Sequence, residues 1–455
     1  MKRIMKRSHL VLVITILFLI GLGLLTFKLI TENSFWVNQP YDSHINTGMG
    51  NITDRYDKLL AYTDGDSRKY NDDYSTRCAL MHVVGDGTNN ISTSIESMYS
   101  GKLTGYNIIF GMGLPDSLKL NSNIELTVDA DASRAAYEAL GGNRGACLVY
   151  NYKTGEILVD TSSYSYDPYD PPLIDEDNEE DYKGVYLDNV ISSTYTPGSI
   201  FKIITAVSAI ENIPDIYEQE FLCESEYEVD GENITCEEYH GNVSFEEAFK
   251  YSCNCAFAQI ALQLGEKELT KTAEEFGFNK DFVISNIEIA KSHYDVHDAK
   301  SDYDLAWSGI GQYTDLANPM HMAIITGAIA NGGTPINPYL VSNNTSILAQ
   351  MGLTTGGGTG QKMISSDVAS KITDLMHEAG NYYYNNGVSL AGLEFCAKTG
   401  TAEIGEDKEP NAWFVGFTQD EDCPYAFACV VEEGGYGIRA AGSVVSTAIN
   451  ALVYE

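Results

Sequence analysis

The sequence predicts an α+β fold, and three stretches carry that prediction. Ile124-Glu-Leu-Thr-Val128 reads as a strand, Ala132 to Leu140 as a helix, and Ala146-Cys-Leu-Val-Tyr150 with Ile157-Leu-Val159 as a hairpin turning at Lys153-Thr-Gly155. The middle of the chain is dominated by helical patterns. From Leu393 onward, strand-like runs around Glu394 to Thr399, Ala412 to Phe417 and Tyr425 to Glu432 precede a last helix over roughly Ala441 to Leu452. Strand, helix and hairpin in that order open an α+β domain, spanning residues 121–455.

At 455 residues, with 44% hydrophobic and 11% aromatic content, the chain has ample material for a core and exceeds one ordinary domain. Lys plus Arg total 28 against 64 Asp plus Glu, a formal charge of −36. Such a surface repels a phosphate backbone, so nucleic-acid binding is excluded as a function class. The acidity names no substrate; it describes a highly solvated surface.

Ahead of the α+β domain, Leu10 to Phe27 is an uncharged, almost wholly apolar run preceded by Lys2, Arg3, Lys6 and Arg7. That pattern reads as a transmembrane signal-anchor over 1–31 with its start inside and a single pass, everything after about residue 31 lying outside the cell membrane. A cleaved signal peptide is the competing reading, but Thr26-Phe27-Lys28-Leu29-Ile30 offers no small-x-small cleavage site. Residues 32–120 are polar and rich in Gly, Asn, Asp and Tyr, with short apolar pieces at Leu59-Leu60 and His82-Val83-Val84, and read as a small, loop-rich module.

Within the α+β part, Ser162 to Asp188 carries Pro168, Pro171, Pro172 and the acidic run Asp175 to Asp181, which predicts a mobile surface loop. Ser244-Phe-Glu-Glu247 is a capping box, and Ala256 to Leu264 reads as a helix ending at Gly265. Nine cysteines cannot all pair internally, so at least one thiol is free. Cys223 and Cys236 would close a short loop as a disulfide, with ~3 kcal/mol of entropic benefit, or stand as two free thiols. Cys147, Cys396 and Cys429 sit in strand-like runs and read as core. With no CxxC pair or His/Cys cluster along the chain, no metal site and no cofactor are expected.

Three short motifs carry chemistry. Pro197-Gly198-Ser199-Ile200-Phe201-Lys202 opens a helix that runs through Ile203, Ile204, Val207 and Ile210 and stops before Pro214. That spacing puts the Lys202 amine one turn from the Ser199 hydroxyl, at a helix N-terminus that favours developing negative charge. A neutral lysine there could take the serine proton. Ser252-Cys253-Asn254 lies between two predicted helices, where a hydroxyl and a carboxamide could point into a cleft. Lys398-Thr399-Gly400-Thr401 follows an apolar strand, and its glycine permits close approach of a backbone or substrate. Each triplet alone is common: a capping serine beside a solvated lysine, an ordinary turn. Together, in this order and on these elements, SxxK, SxN and KTG resemble the motif set of penicillin-binding proteins and class A β-lactamases.

The resemblance extends past the triplets. Tyr195-Thr-Pro-Gly-Ser-Ile-Phe-Lys202 resembles the nucleophile segment of penicillin-binding proteins, His240-Gly241 with Tyr251-Ser-Cys-Asn-Cys-Ala-Phe257 their second motif, and Lys398-Thr-Gly-Thr-Ala402 with Trp413-Phe-Val-Gly-Phe417 their third. Gly145 to Asp160 is similar to the strand pair that opens their transpeptidase domain. Upstream, Gly50-x-Ile52-x-Asp54-Arg55, Leu60-Ala61 and His82-Val-Val-Gly85 resemble the N-terminal module of the class B, monofunctional branch, and the stretch before residue 120 is too short for the glycan-polymerising domain of class A. Some positions depart: Tyr313 stands where Gly309-x-Gly311-Gln312 usually continues with glycine, which predicts an altered local backbone, and Met49 and Asp57 replace an arginine and a glycine. Cys253 and Cys255 flank Asn254 and read as buried packing, with redox sensitivity as the alternative.

The resemblance implies the penicillin-binding transpeptidase fold, a mainly antiparallel sheet flanked by helices with a helical subdomain. It also implies a peptidoglycan D,D-transpeptidase acting on stem peptides that end in D-Ala-D-Ala and acylated by β-lactam antibiotics. Ser199 would be the nucleophile, Lys202 its base, Ser252 a proton relay and Asn254 a ligand for the acyl amide. Lys398, Thr399 and Thr401 would hold the terminal carboxylate, Gly400 would let substrate approach, and the N–H groups of Ser199 and Thr401 would form the oxyanion hole. A polytopic glycan polymerase of the shape, elongation, division and sporulation family is the implied partner. Two other readings compete. A β-lactamase needs a base for water, and no ExxLN segment is present; a non-catalytic sensor needs an internal signalling domain, and few residues precede Leu10. A D,D-carboxypeptidase would share the chemistry with water as acceptor.

Overall fold

The computed structural model describes residues 2–31, 49–105, 122–175, 177–284, 287–296, 301–342, 358–405 and 408–454. Of the segment read as a loop-rich module, 32–48 and 106–120 lie outside the described residues, as does Glu176 of the acidic run. Lys2–Thr31 forms one helix of 30 residues. The large apolar side chains from Val11 to Phe27 are exposed; they are the part of this helix whose side chains are described, and among the described residues no helix is long and apolar enough to cross a membrane.

The first sheet is small. Strands β1 (Ile52–Thr53), β2 (Leu59–Asp64), β3 (Ser67–Tyr70) and β4 (Ile124–Glu125) lie in the order β3-β2-β1-β4, with β4 parallel to β1. The strand expected to open the α+β domain thus completes this sheet instead, because Ile124 and Ile52 bury against each other's core. A buried ion pair, Arg68 Nε to Glu96 Oε1 at 2.7 Å, pins the module, and Glu96 Oε2 also accepts from Tyr70 and Gly87. Asp57, which replaces a glycine of the family pattern, keeps a left-handed φ of +63°, a conformation aspartate tolerates better than most residues.

The main sheet has order β13-β14-β15-β5-β6 and is antiparallel throughout. Its strands are β5 (Gly145–Asn151), β6 (Ile157–Ser163), β13 (Phe395–Ala402), β14 (Asn411–Thr418) and β15 (Tyr425–Val431). Helices Ala130–Leu140 and Ala441–Tyr454 pack together over β6, β5 and β15, while Pro319–Ala330 and Ser366–Asn385 pack together over β15, β14 and β13. Covered on both faces, β14 is buried along its whole length, which is why its sequence reads as a continuous apolar run. Cys147 and Cys429 face each other across β5 and β15 as core thiols.

Between β6 and β13 lies the helical part that shapes the site. Helix Lys202–Asn212 packs on helix Asn254–Phe276, which breaks at Gly265 with φ +73° and ψ 167°, where the sequence predicts its end. A flap precedes it, built from β7 (Glu220–Cys223), β8 (Glu226–Val229), β9 (Glu232–Thr235) and β10 (Gly241–Ser244), paired as β7 with β10 and β8 with β9. Beyond it, β11 (Val283–Ile284) and β12 (Ile287–Glu288) form a short hairpin. Ser244 and Glu247 close the expected capping box at helix Phe245–Lys250, worth ~1 kcal/mol.

The stretch 162–188 differs from the expected loop. Most of its exposed positions gather between 169 and 183, around the acidic run, whereas Tyr166 and Val185 bury with Met81 and Ile91 in a satellite core. Arg77 grips the Asp167 carboxylate through Nε and Nη2 at 2.9 and 2.6 Å, and a ring nitrogen of buried His82 meets Val185 O at 2.8 Å. Prolines and charges mark the tip correctly, but tyrosines, both apolar and hydrogen-bonding, tie its two ends to helix Tyr74–Val84.

Candidate active site

Ser199 sits on a turn made by close backbone contact. Gly198–Phe201 is a 3₁₀ turn, and the α-helix begins only at Lys202. Ile200, Phe201, Ile203 and Ile204 are buried beneath it, and Phe201 stacks on Tyr294 at 4.9 Å. Gly198 has φ +55°, and a Cβ there would lie 2.9 Å from Thr401 O on β13. Gly311, at φ +81°, accepts from Gly198 N at 2.8 Å, and a Cβ on it would come within 2.1 Å of Gly198 O. The indole of Trp413 on β14 donates to Thr196 O at 2.9 Å. Glycine is required at 198 and 311 by both φ and proximity, and the turn is wedged between β13 and the 311 loop. Tyr313 does not alter the local backbone as expected. It holds φ +68°, the left-handed conformation a glycine would supply.

Lys202 is fully buried, its amine aimed at the second motif. Nζ donates to Ser252 O at 2.6 Å, Asn254 Oδ1 at 2.7 Å and Ser252 Oγ at 3.2 Å, and lies 5.5 Å from the centre of the Phe257 ring. Those three oxygens use all three ammonium protons. Burial pushes the Lys202 pKa down to about 8, since a desolvated ammonium is disfavoured. The hydrogen bonds of Lys202 Nζ thus go to this Ser252–Asn254 clasp and not to Ser199.

Lys398, on β13 and also fully buried, donates to the same Ser252 Oγ at 2.8 Å and to Thr399 O at 3.0 Å. Burial first, and the neighbouring Lys202 charge second, hold its pKa well below the usual lysine value. Ser252 Oγ therefore bridges two amines. The hydroxyl can donate to whichever is neutral and accept from whichever is charged. The backbone that places it is strained, since Ser252 has φ +56°, which costs a non-glycine residue ~1–2 kcal/mol.

Ser199, Ser252, Asn254, Thr399 and Thr401 line one cleft of about 390 Å³, with Lys202 and Lys398 buried behind Ser252. The fold thus brings together all the residues singled out in the sequence, Gly400 included: its Cβ position lies 2.8 Å from Pro197 O, so glycine there admits the nucleophile turn rather than substrate. Tyr383 is not expected from the sequence. It is buried on helix Ser366–Asn385, and its hydroxyl accepts from Thr399 N and Oγ1 at 3.3 and 3.2 Å. Nothing in the run Tyr382-Tyr383-Tyr384 distinguishes it locally; only the packing of that helix on β13 does.

Among the cysteines, one of the two open readings holds and one expectation fails. Cys223 and Cys236 are free thiols, and with His240 and Cys253 they bring four ligand-type atoms within 4.8 Å of one another beside the second motif. The expectation that no His/Cys cluster exists is overturned, because the β7–β10 flap folds residues distant in sequence onto Cys253.

The family model for the penicillin-binding protein transpeptidase domain matches residues 145–453. Peptidoglycan D,D-transpeptidase PbpA of Mycolicibacterium smegmatis is 31% identical over 426 residues, 86% of this chain and 85% of that protein. The protein of the same name from Mycobacterium tuberculosis is 31% identical over 396 residues, 80% of this chain and 79% of that one. Among solved structures, a ceftriaxone acyl-enzyme complex of penicillin-binding protein A from M. tuberculosis aligns with a TM-score of 0.76 at 27% identity, over 90% of this chain and 98% of that chain. The motif order, the cleft and these likenesses agree: the chain belongs to the penicillin-binding protein transpeptidase family, as a class B member.

Proposed function

We propose that this protein is a serine D,D-transpeptidase that cross-links peptidoglycan stem peptides and is acylated by β-lactams through Ser199. The observation that carries the reading is the convergence of Lys202 and Lys398 on Ser252 Oγ, in the cleft whose wall holds Ser199. Ser199 Oγ attacks the penultimate D-Ala carbonyl, and neutral Lys202 takes its proton. Collapse of the tetrahedral intermediate breaks the C–N bond, and the departing D-Ala amine receives a proton through Ser252 Oγ. An acceptor amine then displaces Ser199, with the proton transfers reversed.

The remaining groups bind and orient. The N–H groups of Ser199 and Thr401 take the oxyanion. Asn254 holds the acyl amide, and Lys398 with Thr399 and Thr401 holds the terminal carboxylate, an anion that a buried positive centre favours within an otherwise acidic protein.

Membrane anchoring belongs to the same proposal. The Lys2–Thr31 helix of 30 residues is ~45 Å long against a hydrocarbon core of ~30 Å. The hydroxyls of Thr15 and Thr26 donate to the carbonyls of Val11 and Leu22, the internal satisfaction that lipid requires. Residues 121–455 would then be the extracellular catalytic domain, with residues 32–120 free to meet a polytopic glycan polymerase. Co-purification with that polymerase, lost on deleting residues 2–105, checks the last point.

Intact-mass spectrometry of the full chain in detergent with benzylpenicillin tests the reaction. A single persistent adduct in the wild type and none in Ser199→Ala supports it. No adduct on folded wild type leaves a scaffold, and rapid release of hydrolysed drug makes the protein a β-lactamase.

A further inference from the structure

Beside the SxN wall of the cleft, four thiols and one imidazole converge. Cys223 Sγ and Cys236 Sγ lie 3.4 and 3.5 Å from the same His240 Nδ1. Cys236 is within hydrogen-bonding reach of the thiols of Cys253 and Cys255, and Cys255 of that of Cys223. The ligand atoms of Cys223, Cys236, His240 and Cys253 all fall within 4.8 Å of one another. Zn–S bonds of 2.3 Å and a Zn–N bond of 2.0–2.1 Å at tetrahedral angles put S and N about 3.6 Å apart. The two measured S···N separations match that geometry.

We propose that Cys223, Cys236, His240 and Cys253 form a Cys₃His zinc site that clamps the SxN segment of the active site. The ligand set is soft and tetrahedral, which selects Zn²⁺ over hard cations. A disulfide has no use for an imidazole equidistant from two sulfurs; a metal does. The imidazole is oriented from outside, since His240 stacks on Tyr251 with ring planes 18° apart. Cys253 Sγ already accepts from Ala256 N at 3.4 Å, the kind of N–H···S contact that supports a bound thiolate. Binding releases the three thiol protons, so affinity falls as pH falls.

The site joins two elements with no backbone pairing between them. Cys223 ends β7, Cys236 follows β9 and His240 precedes β10, whereas Cys253 lies between the catalytic Ser252 and Asn254. Outside the cluster, Asn254 Nδ2 also reaches the flap, donating to Thr235 O at 2.9 Å. Ser252 holds its left-handed φ of +56° immediately next to a ligand. Fixing Cys253 fixes that strained backbone, and with it the hydroxyl that bridges the two lysines. Zinc is a positioning element, and its effect on acylation rests on the serine reading above; its presence does not.

The test uses the full chain, purified in detergent with reductant and without chelator. Elemental analysis finds about one zinc per chain, lost in Cys236→Ser and His240→Ala and retained in Cys423→Ser, a thiol outside the cluster. Stripping zinc from the wild type lowers its melting temperature and slows acylation by fluorescent penicillin at least about tenfold, and stoichiometric Zn²⁺ restores both. If the ligand variants fail to fold, Co²⁺ exchange into the wild type decides: sulfur-to-cobalt charge-transfer absorption supports the site. The proposal is overturned by a penicillin-reactive wild type that takes up no zinc, by iron or copper in its place, or by an intact mass two hydrogens lighter that maps to a disulfide among these cysteines. A zinc-loaded protein that no β-lactam acylates would fault the serine chemistry and leave the metal site standing.

Discussion

The two walls of the cleft are built on opposite physical plans. The nucleophile wall, Ser199 on its 3₁₀ turn against β13, is held by backbone approaching backbone: Gly198 over Thr401 O, Gly311 under Gly198 O, Trp413 on Thr196 O. The relay wall, Ser252 to Asn254, has no sheet beneath it and carries a non-glycine residue at φ +56°. It is held by side chains, the Lys202 ammonium from within and the cysteine cluster from the flap. A wall made by glycine proximity is rigid once folded and tolerates no added atom. A wall made by side-chain ligation can be loosened chemically without unfolding the sheet.

Lys202 spans both walls, so its removal has the largest expected effect. Lys202→Ala lowers benzylpenicillin acylation by about 10³-fold, the scale of losing a general base, as read from adduct formation by stopped-flow or quenched mass spectrometry. Proton uptake requires the neutral amine, and the Lys202 pKa is lowered by burial to about 8. Roughly a tenth of it is neutral at pH 7, so wild-type acylation rises about tenfold from pH 6 to 7 and levels above pH 8. A flat profile across that range would remove Lys202 as the base.

The next test strikes the nucleophile wall alone. Gly311→Ala places a methyl 2.1 Å from Gly198 O at a backbone φ of +81°. The turn must shift, and a misplacement of about 1 Å is worth about 10²-fold in rate. Acylation should fall on that scale while zinc content stays unchanged; a tolerated alanine would show that the turn is not seated by backbone contact. Cys236→Ser should produce the reverse, metal lost and the turn intact, and the pair of variants separates the two plans.

How much of the site is legible in the sequence follows the same division. The elements of the nucleophile wall are legible, because a buried helix face and apolar strand runs leave local marks: the helix after Ser199 and the three final strands can be placed from pattern, while Ser199, Lys202 and Lys398 gain their meaning from the motif set. Ser252 and Asn254 emerge only as part of a motif set, since their positioning depends on contacts 50 residues and more away, such as Lys202 to Asn254. The cysteine cluster escapes sequence reasoning for that reason, its members being dispersed along a flap with no metal-ligand spacing. Tyr313 in place of glycine suggests a change of backbone, whereas surrounding contacts hold the left-handed geometry against the preference of the side chain. The stretch 162–188 misleads because its charges describe the tip and its tyrosines describe the anchor.

Tyr383 offers the smallest and most selective probe. Its hydroxyl accepts from both Thr399 N and Thr399 Oγ1, and Thr399 is the residue through which the KTG strand would meet a substrate carboxylate. The phenol is fully buried, and burial pushes its pKa up, so it stays neutral over the working range and acts by position alone. Tyr383→Phe keeps the ring against Phe414 on β14 and deletes only the acceptor. A buried donor left unpaired costs ~1–3 kcal/mol, part of which Thr399 recovers by turning toward the cleft and water. The loss should therefore appear as a roughly three- to tenfold rise in the concentration of β-lactam giving half-maximal acylation rate, with the limiting rate and its pH midpoint unmoved. A shift of that midpoint instead would mean that Tyr383 reaches the lysine pair through Thr399 and Lys398, coupling the sheet wall to the proton path rather than only to carboxylate capture.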